Sequence, residues 1–229
     1  KVASMVDRFA QADKPKHISK EAIARSNVFA LVARSVNRKE MRSEPRAIEA
    51  MDKEWARLRK AGPKHKGVWR EDLVENWRDV KRRFNKMNKA VHVGEILGTW
   101  TQKHSELPDT PVNSELRKYK GRVVYGGHRV KDQTGAAAVF QELHSQPATV
   151  TASRVADFYS MLPDKDGEQD DADMAYCQSY YKGTPTYVRL PRHRWPDWWD
   201  PNKYDDPVCP MELALYGHPE SGYYWEEHC

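Results

Sequence analysis

The chain is poor in cysteine and has no long apolar run. Three of its 229 residues are cysteines (Cys177, Cys209 and Cys229), an odd number with no Cys-x-x-Cys spacing. That pattern argues against a disulfide scaffold and for a reducing compartment. Cys209, His218, His228 and Cys229 taken as a zinc set match no common finger spacing. No apolar stretch approaches the roughly 18 residues that a membrane span needs, and no secretory signal opens the chain, so no membrane partner is expected. Internal repeats and low-complexity tracts are also missing. Lys1 is not a start Met, and the chain is expected to be a piece of something longer.

What is present is aromatic mass and charge. Eight Trp and eleven Tyr exceed what a disordered chain carries, and the length suffices for one sizeable core or two small domains. The net charge of +5 is unevenly spread. Residues 1–156 hold 32 Lys and Arg against 18 Asp and Glu, a net of +14; residues 157–229 hold 6 against 15, a net of −9. This asymmetry suits a protein that grips a polyanion with one part and holds cations with the other. Basic helices that merely face solvent would give the same count.

Apolar spacing predicts an α+β chain with a mostly antiparallel sheet packed with helices. A helix over about Lys20–Val36 belongs to a basic helical connector, residues 1–43. The next helix, Arg46–Ala61, follows a cap at Ser43-Glu44-Pro45, carries Ile48, Met51, Trp55 and Leu58 at helical steps, and breaks at Gly62-Pro63. Trp69, Leu73, Trp77, Val80, Phe84 and Met87 form the most regular stripe. They predict one helix with an apolar core-facing side and a basic outer face of Arg78, Lys81, Arg82, Arg83, Lys86 and Lys89. Val91–Trp100 reads as a strand and 101–116 as a polar loop. In the β-prone segment Leu116–Gly127, Lys118, Lys120 and Arg122 share one face, as a phosphate grip or as the lysine-bearing edge that deters strand pairing. Pro147–Leu162 predicts a helix with Val155, Phe158, Tyr159 and Leu162 inward. Residues 191–210 read as an irregular connection whose Trp195, Trp198 and Trp199 are packing residues, and a last helix starts near Gly222.

The chemistry concentrates in Asp170-Asp171-Ala172-Asp173-Met174-Ala175-Tyr176. Three carboxylates at the start of a strand make a poor core, because a buried charge needs a partner. They suit Mg²⁺, a hard cation that takes carboxylate oxygens and shares its other positions with substrate phosphates. A solvated acidic turn is the alternative, since Asp164, Asp166 and Glu168 precede it.

Four landmarks, in order, resemble the reverse transcriptase of copia-type LTR retrotransposons. The helix EAMDKEWARLRKAG followed by Val68-Trp69 is similar to the family's opening helix. KYKGRVVYGG resembles its basic strand, and DADMAY with the later TYVRLP resembles polymerase motif A and the strand after it. VCPMELALYGHPESGYYWEEHC resembles the family's Val-Cys … Leu-Tyr-Gly … Trp segment. The resemblance covers residues 44–229 and implies the fingers and early palm of a right-hand polymerase, truncated before the Asp-Asp hairpin. It implies two-metal nucleotidyl transfer with Mg²⁺, or Mn²⁺ in its place. Asp171 would be the catalytic carboxylate, with Ala172 beside it at the metal and the nucleotide. Tyr176 would be the gate against a ribose 2′-hydroxyl. Lys120 and Arg122 would meet the triphosphate of the incoming dNTP, and Tyr216 and Gly217 would lie beside nucleotide and template. Implied partners are an RNA template, a DNA primer and product, and the rest of a Pol polyprotein with its integrase and RNase H. The implied location is intracellular, in a cytoplasmic particle and the nucleus.

The chain departs from the family at several points. Asp164–Asp170 is almost wholly polar where hydrophobic strand residues are usual, so the strand before Asp171 is expected to be short or poorly seated. Gly222 stands in place of a proline, residues 64–89 look inserted, and no Tyr-hydrophobic-Asp-Asp motif occurs. Two other functions fit the sequence: a catalytically dead remnant that only binds nucleic acid through its basic half, and an interaction domain using the Trp-rich segment.

Overall fold

The computed structural model describes residues 33–108, 110, 114–140, 148–168 and 170–229. In chain order the elements are β1 (Ala33–Ser35), α1 (Arg38–Ser43), α2 (Pro45–Arg59), β2 (Glu75–Asn76), α3 (Trp77–Lys86), β3 (His92–Lys103) and β4 (Tyr119–Tyr125). There follow β5 (Lys131–Asp132), α4 (Val150–Ser160), β6 (Thr186–Arg189), β7 (Pro207–Pro210) and α5 (Ser221–Glu226). The described parts of 1–34 and 102–118 form one compact unit; Ser35–Thr101 with Tyr119–Cys229 form the other. In the first, the Gln102 side-chain oxygen accepts from Arg34 at 2.9 Å and Arg117 at 3.3 Å, and the Lys103 N–H donates to Lys118 O.

Alternation along two short strands decides the architecture of the larger unit. Tyr187 and Val188 on β6 join different apolar clusters, and Val208 and Cys209 on β7 divide the same way. Successive strand side chains point to opposite faces, so this sheet is buried on both sides. Its path runs β3–β6–β7–β2, with β4 and β5 also paired to β3. β3 and β6 are parallel, His92 opposite Thr186 and Glu95 opposite Arg189, while β6–β7, β7–β2 and β3–β5 are antiparallel. The result is a mixed α/β fold with a mostly antiparallel sheet packed with helices.

Each face has its helix. α3 buries Trp77, Val80 and Phe84 against Val93, Tyr187 and Val208. Arg83 pairs with Glu75 and donates to the Tyr187 hydroxyl at 2.9 Å, which anchors the helix edge. α2 starts on Glu44, whose carboxylate accepts from the Arg46 N–H, and on Pro45 in the first turn, where a missing N–H costs nothing. It buries Ala47, Met51, Trp55 and Leu58 at steps of four, four and three, and packs along β4. The two backbones approach closely at Gly121, where a Cβ would lie 2.7 Å from Met51 Cα and 2.9 Å from Met51 N.

Several expectations are corrected. Residues 33–35 are strand, not the end of a helix, and Val36 donates its N–H to Trp100 O; the rest of the Lys20–Val36 helix lies outside the described residues. The Trp69–Met87 stripe is α-helical only over Trp77–Lys86, Leu73 closing a separate 3₁₀ turn, and Leu73 and Met87 are half exposed. Glu75 and Asn76 are drawn into pairing with β7, and the Trp77 N–H is held by Asp206 O, so no helix runs through them. α4 forms as the spacing predicts, but Val155, Phe158 and Tyr159 are 62%, 65% and 53% exposed rather than inward. Strand β3 continues through Lys103 into the expected loop, and the irregular connection ends in β7. Trp199 is buried and Trp195 half-buried as packing residues, whereas Trp198 is 62% exposed. Cys209 is buried and Cys229 exposed, and no three His, Cys, Asp or Glu side chains gather among the described residues.

Gly121→Ala tests the α2–β4 contact. The new methyl meets helix backbone, which cannot rotate away, so a loss of about 1–3 kcal/mol is expected. The readout is the urea midpoint; an unchanged midpoint would contradict the packing.

Candidate functional site

β4 alternates cleanly: Gly121, Val123 and Tyr125 are buried, while Lys120 and Arg122 are exposed on the other face. Its last residue fixes a distant turn, since the Tyr125 N–H donates to Tyr216 O at 2.7 Å. The two backbones come closer than side chains allow. Gly217 has φ +88°, and a Cβ on it would lie 2.3 Å from Tyr125 O; a Cβ on Gly127 would lie 2.2 Å from Gly217 O. Glycine is therefore required at both positions.

This clamp delivers Tyr216 to the exposed side of β4. The Arg122 guanidinium carbon lies 5.5 Å from the centre of the Tyr216 ring. The centre of the Tyr176 ring lies 4.7 Å from that of Tyr216, with the planes tilted by 43°. Three residues that the resemblance assigns to one nucleotide pocket, at positions 122, 176 and 216, thus meet in space. Lys120 shares the exposed face of β4 with Arg122. Arg122 makes no ion pair with any described residue, so its charge is available for an anion. Burial raises the Tyr216 phenol above its usual pKa and keeps it neutral.

The acidic stretch looks different from the strand start the sequence suggests. Residues 170–172 have no regular structure, Met174 is left-handed at φ 53°, and Ala175–Gln178 form one tight 3₁₀ turn that half-buries Tyr176. Three neighbouring carboxylates repel one another and keep the segment in water. Asp171 and Ala172 are exposed. Asp173 is engaged by Arg57 of α2, and its carbonyl accepts from the Gln178 amide at 2.8 Å. Arg57 is the residue the sequence reading missed: it stands on the polar side of an amphipathic helix, where a charge has many reasons to be. Asp171 and the Ala172 carbonyl do not by themselves make a Mg²⁺ shell, and no three His, Cys, Asp or Glu side chains among the described residues could complete one. The described residues do not fit the ion alone.

The turn is also anchored by buried rings. His218 is 4% exposed, with Tyr125 and Tyr181 each 4.8 Å away and Phe140 at 5.2 Å. Its Nδ1 accepts from the Glu220 N–H, while its Nε2 has no hydrogen-bond partner among the described residues. Burial, helped by nearby His92, pulls its pKa from 6.5 down to about 3. Cys177, also buried here, has its thiol pushed up to about 12 and is no nucleophile.

No protein-family model matches the chain, and no curated protein or solved structure matches it either.

The His218 environment predicts acid lability. The unfolded chain protonates this ring near pH 6.5 and the folded chain only near 3, so the contribution is whole above 6.5 and is lost as pH falls toward 3. The slope is about 1.4 kcal/mol per pH unit for one proton. His92 shifts in the same direction. Urea unfolding at pH 7, 6 and 5 should show the loss, and His218→Phe should flatten it by one proton. Equal slopes in both proteins would contradict a neutral, buried His218.

Proposed function

We propose that the chain is the fingers and early palm of an RNA-directed DNA polymerase of the copia type, incomplete without the segment that carries the Asp-Asp hairpin. The observation that carries the reading is the meeting of Arg122, Tyr176 and Tyr216. They lie far apart in sequence, and motif resemblance alone, without geometry, points to one pocket for them. A guanidinium beside two tilted phenol rings offers a charge for a triphosphate and apolar faces for a sugar or base. In this reading Arg122 and Lys120 draw the phosphates of the dNTP to β4. Tyr176, held by its 3₁₀ turn and by Tyr216, walls the sugar, and Gly217, packed on Tyr125 O, holds the turn that would lie beside nucleotide and template. Asp171 does not hold Mg²⁺ by itself; joined by carboxylates from the hairpin it would be one ligand of the ion, which would then supply charge neutralisation beside the primer hydroxyl.

A second reading is a remnant that binds nucleic acid without catalysis. It is favoured by the irregular, exposed lead-in to Asp171, where a working site needs that carboxylate held in place.

Primer extension on an RNA template separates the two. The 229-residue chain alone should extend nothing, and the longer chain with the hairpin should extend the primer with Mg²⁺ present. Asp171→Asn in that longer chain should abolish synthesis. Arg122→Ala should raise the KM for dNTP about tenfold, the worth of one charge-assisted hydrogen bond. No synthesis by the longer chain, with steeply salt-dependent template binding intact, would establish the remnant.

A further inference from the structure

Glu220 is a buried carboxylate that forms no ion pair among the described residues. It is 6% exposed, yet it lines a cavity of about 380 Å³ with Lys182, Gly183, Thr184, Tyr223, Tyr224 and Glu227. One of its oxygens, Oε2, accepts from the Tyr181 hydroxyl at 3.3 Å and the Tyr224 hydroxyl at 3.2 Å. The Tyr181 hydroxyl also lies 3.0 Å from Thr184 O and 3.0 Å from Thr186 Oγ1, so the group is held in place. Space is kept open at Gly183, where a Cβ would lie 2.5 Å from Glu220 Oε2, 2.6 Å from Tyr224 Oη and 2.8 Å from Tyr181 Oη.

The two phenols both reach Oε2 and bring no charge, so the carboxylate keeps acceptor positions toward the cavity that a cationic donor would fill. No Lys, Arg or His of the described residues pairs with Glu220. Lys182 lines the same cavity, but it is exposed and makes no ion pair there. Glu220 precedes α5, whose six residues give only a weak dipole. A metal ion is a poor fit, because no three His, Cys, Asp or Glu side chains gather among the described residues. An ammonium or guanidinium head is a good one. It needs a carboxylate and hydroxyls to receive its N–H groups and ring faces to lie against, and the Tyr223 and Tyr224 side chains line the wall.

We propose that this cavity binds an organic cation, the head group of a primary amine or a guanidine, through the Glu220 carboxylate. The head belongs either to a small free molecule or to a Lys or Arg side chain of a peptide. The site does not depend on the polymerase reading.

The experiment is calorimetric titration of the 229-residue chain with butylammonium chloride, methylguanidinium chloride and an arginine-containing tetrapeptide, each against NaCl at equal ionic strength. At least one should bind saturably. Tighter binding of the peptide than of methylguanidinium assigns the site to a protein partner; the reverse assigns it to a free cation. Glu220→Gln keeps the acceptors for both tyrosines and should weaken binding by about tenfold or more. Lys182→Met, on the surface, should tighten it by about two- to threefold by removing a competing charge. It keeps the test decisive if Glu220→Gln melts early. No response beyond NaCl, equal binding by Glu220→Gln, no gain in Lys182→Met, or saturable binding of Mg²⁺ or Ca²⁺ in place of the organic cations would each overturn the proposal.

Discussion

The backbone contact between the end of β4 and the Tyr216–Gly217 turn is the constraint on which the candidate site depends. One hydrogen bond of 2.7 Å and two glycines packed against carbonyl oxygens bring segments 91 residues apart within van der Waals contact. Everything nearby inherits its position from that clamp. Tyr216 is placed beside Arg122, Tyr176 lies tilted against Tyr216, and His218 packs among Tyr125, Tyr181 and Phe140. Exposed loops usually tolerate substitution; this turn does not, because a methyl on Gly217 has nowhere to go.

Behind the clamp the sheet supplies rigidity. Its middle strands, β6 and β7, bury both faces, one under α3 and the other in the core that α2 and β4 complete. β4 is therefore held from behind by a helix with no slack at Gly121 and can present Lys120 and Arg122 outward. The acidic stretch has no such support. Among the described residues it is tied to α2 by the Arg57–Asp173 pair between exposed side chains, worth at most about 1 kcal/mol, and only Met174 of the stretch packs against the core. The contrast divides the site into a fixed cationic and aromatic half and a weakly tethered acidic half.

Much of the fold was legible in the sequence because its signals were periodic. The Met51–Trp55–Leu58 spacing gave α2, and alternating charge gave β4. The last helix was visible too. Failures came where tertiary pairing outweighed pattern. Trp69 and Leu73 fit a helical stripe, but hydrogen bonds from β7 claimed Glu75 and Asn76 and delayed the helix to Trp77. The apolar spacing of Val155, Phe158 and Tyr159 correctly called for a helix, yet spacing cannot say whether anything covers that face, and they lie exposed. At the site, motif resemblance named Arg122, Tyr176 and Tyr216. It could not foresee the irregular backbone around Asp171 or the role of Arg57, since neither leaves a local signal. Glu220 escaped notice for the same reason: its burial depends on Tyr181 and Gly183, remote in the chain.

The central claim is that β4 and the Tyr216 turn form a nucleotide site. Photo-crosslinking measures it most directly, using an azido-dNTP bound to the chain on a primed template, with the labelled peptides mapped by mass spectrometry. The account predicts labels confined to residues 119–125, 172–176 and 215–217, lost in Arg122→Ala and competed by unmodified dNTP. Labels on the outer face of α3 alone, or labelling that ordinary dNTP does not displace, would contradict it.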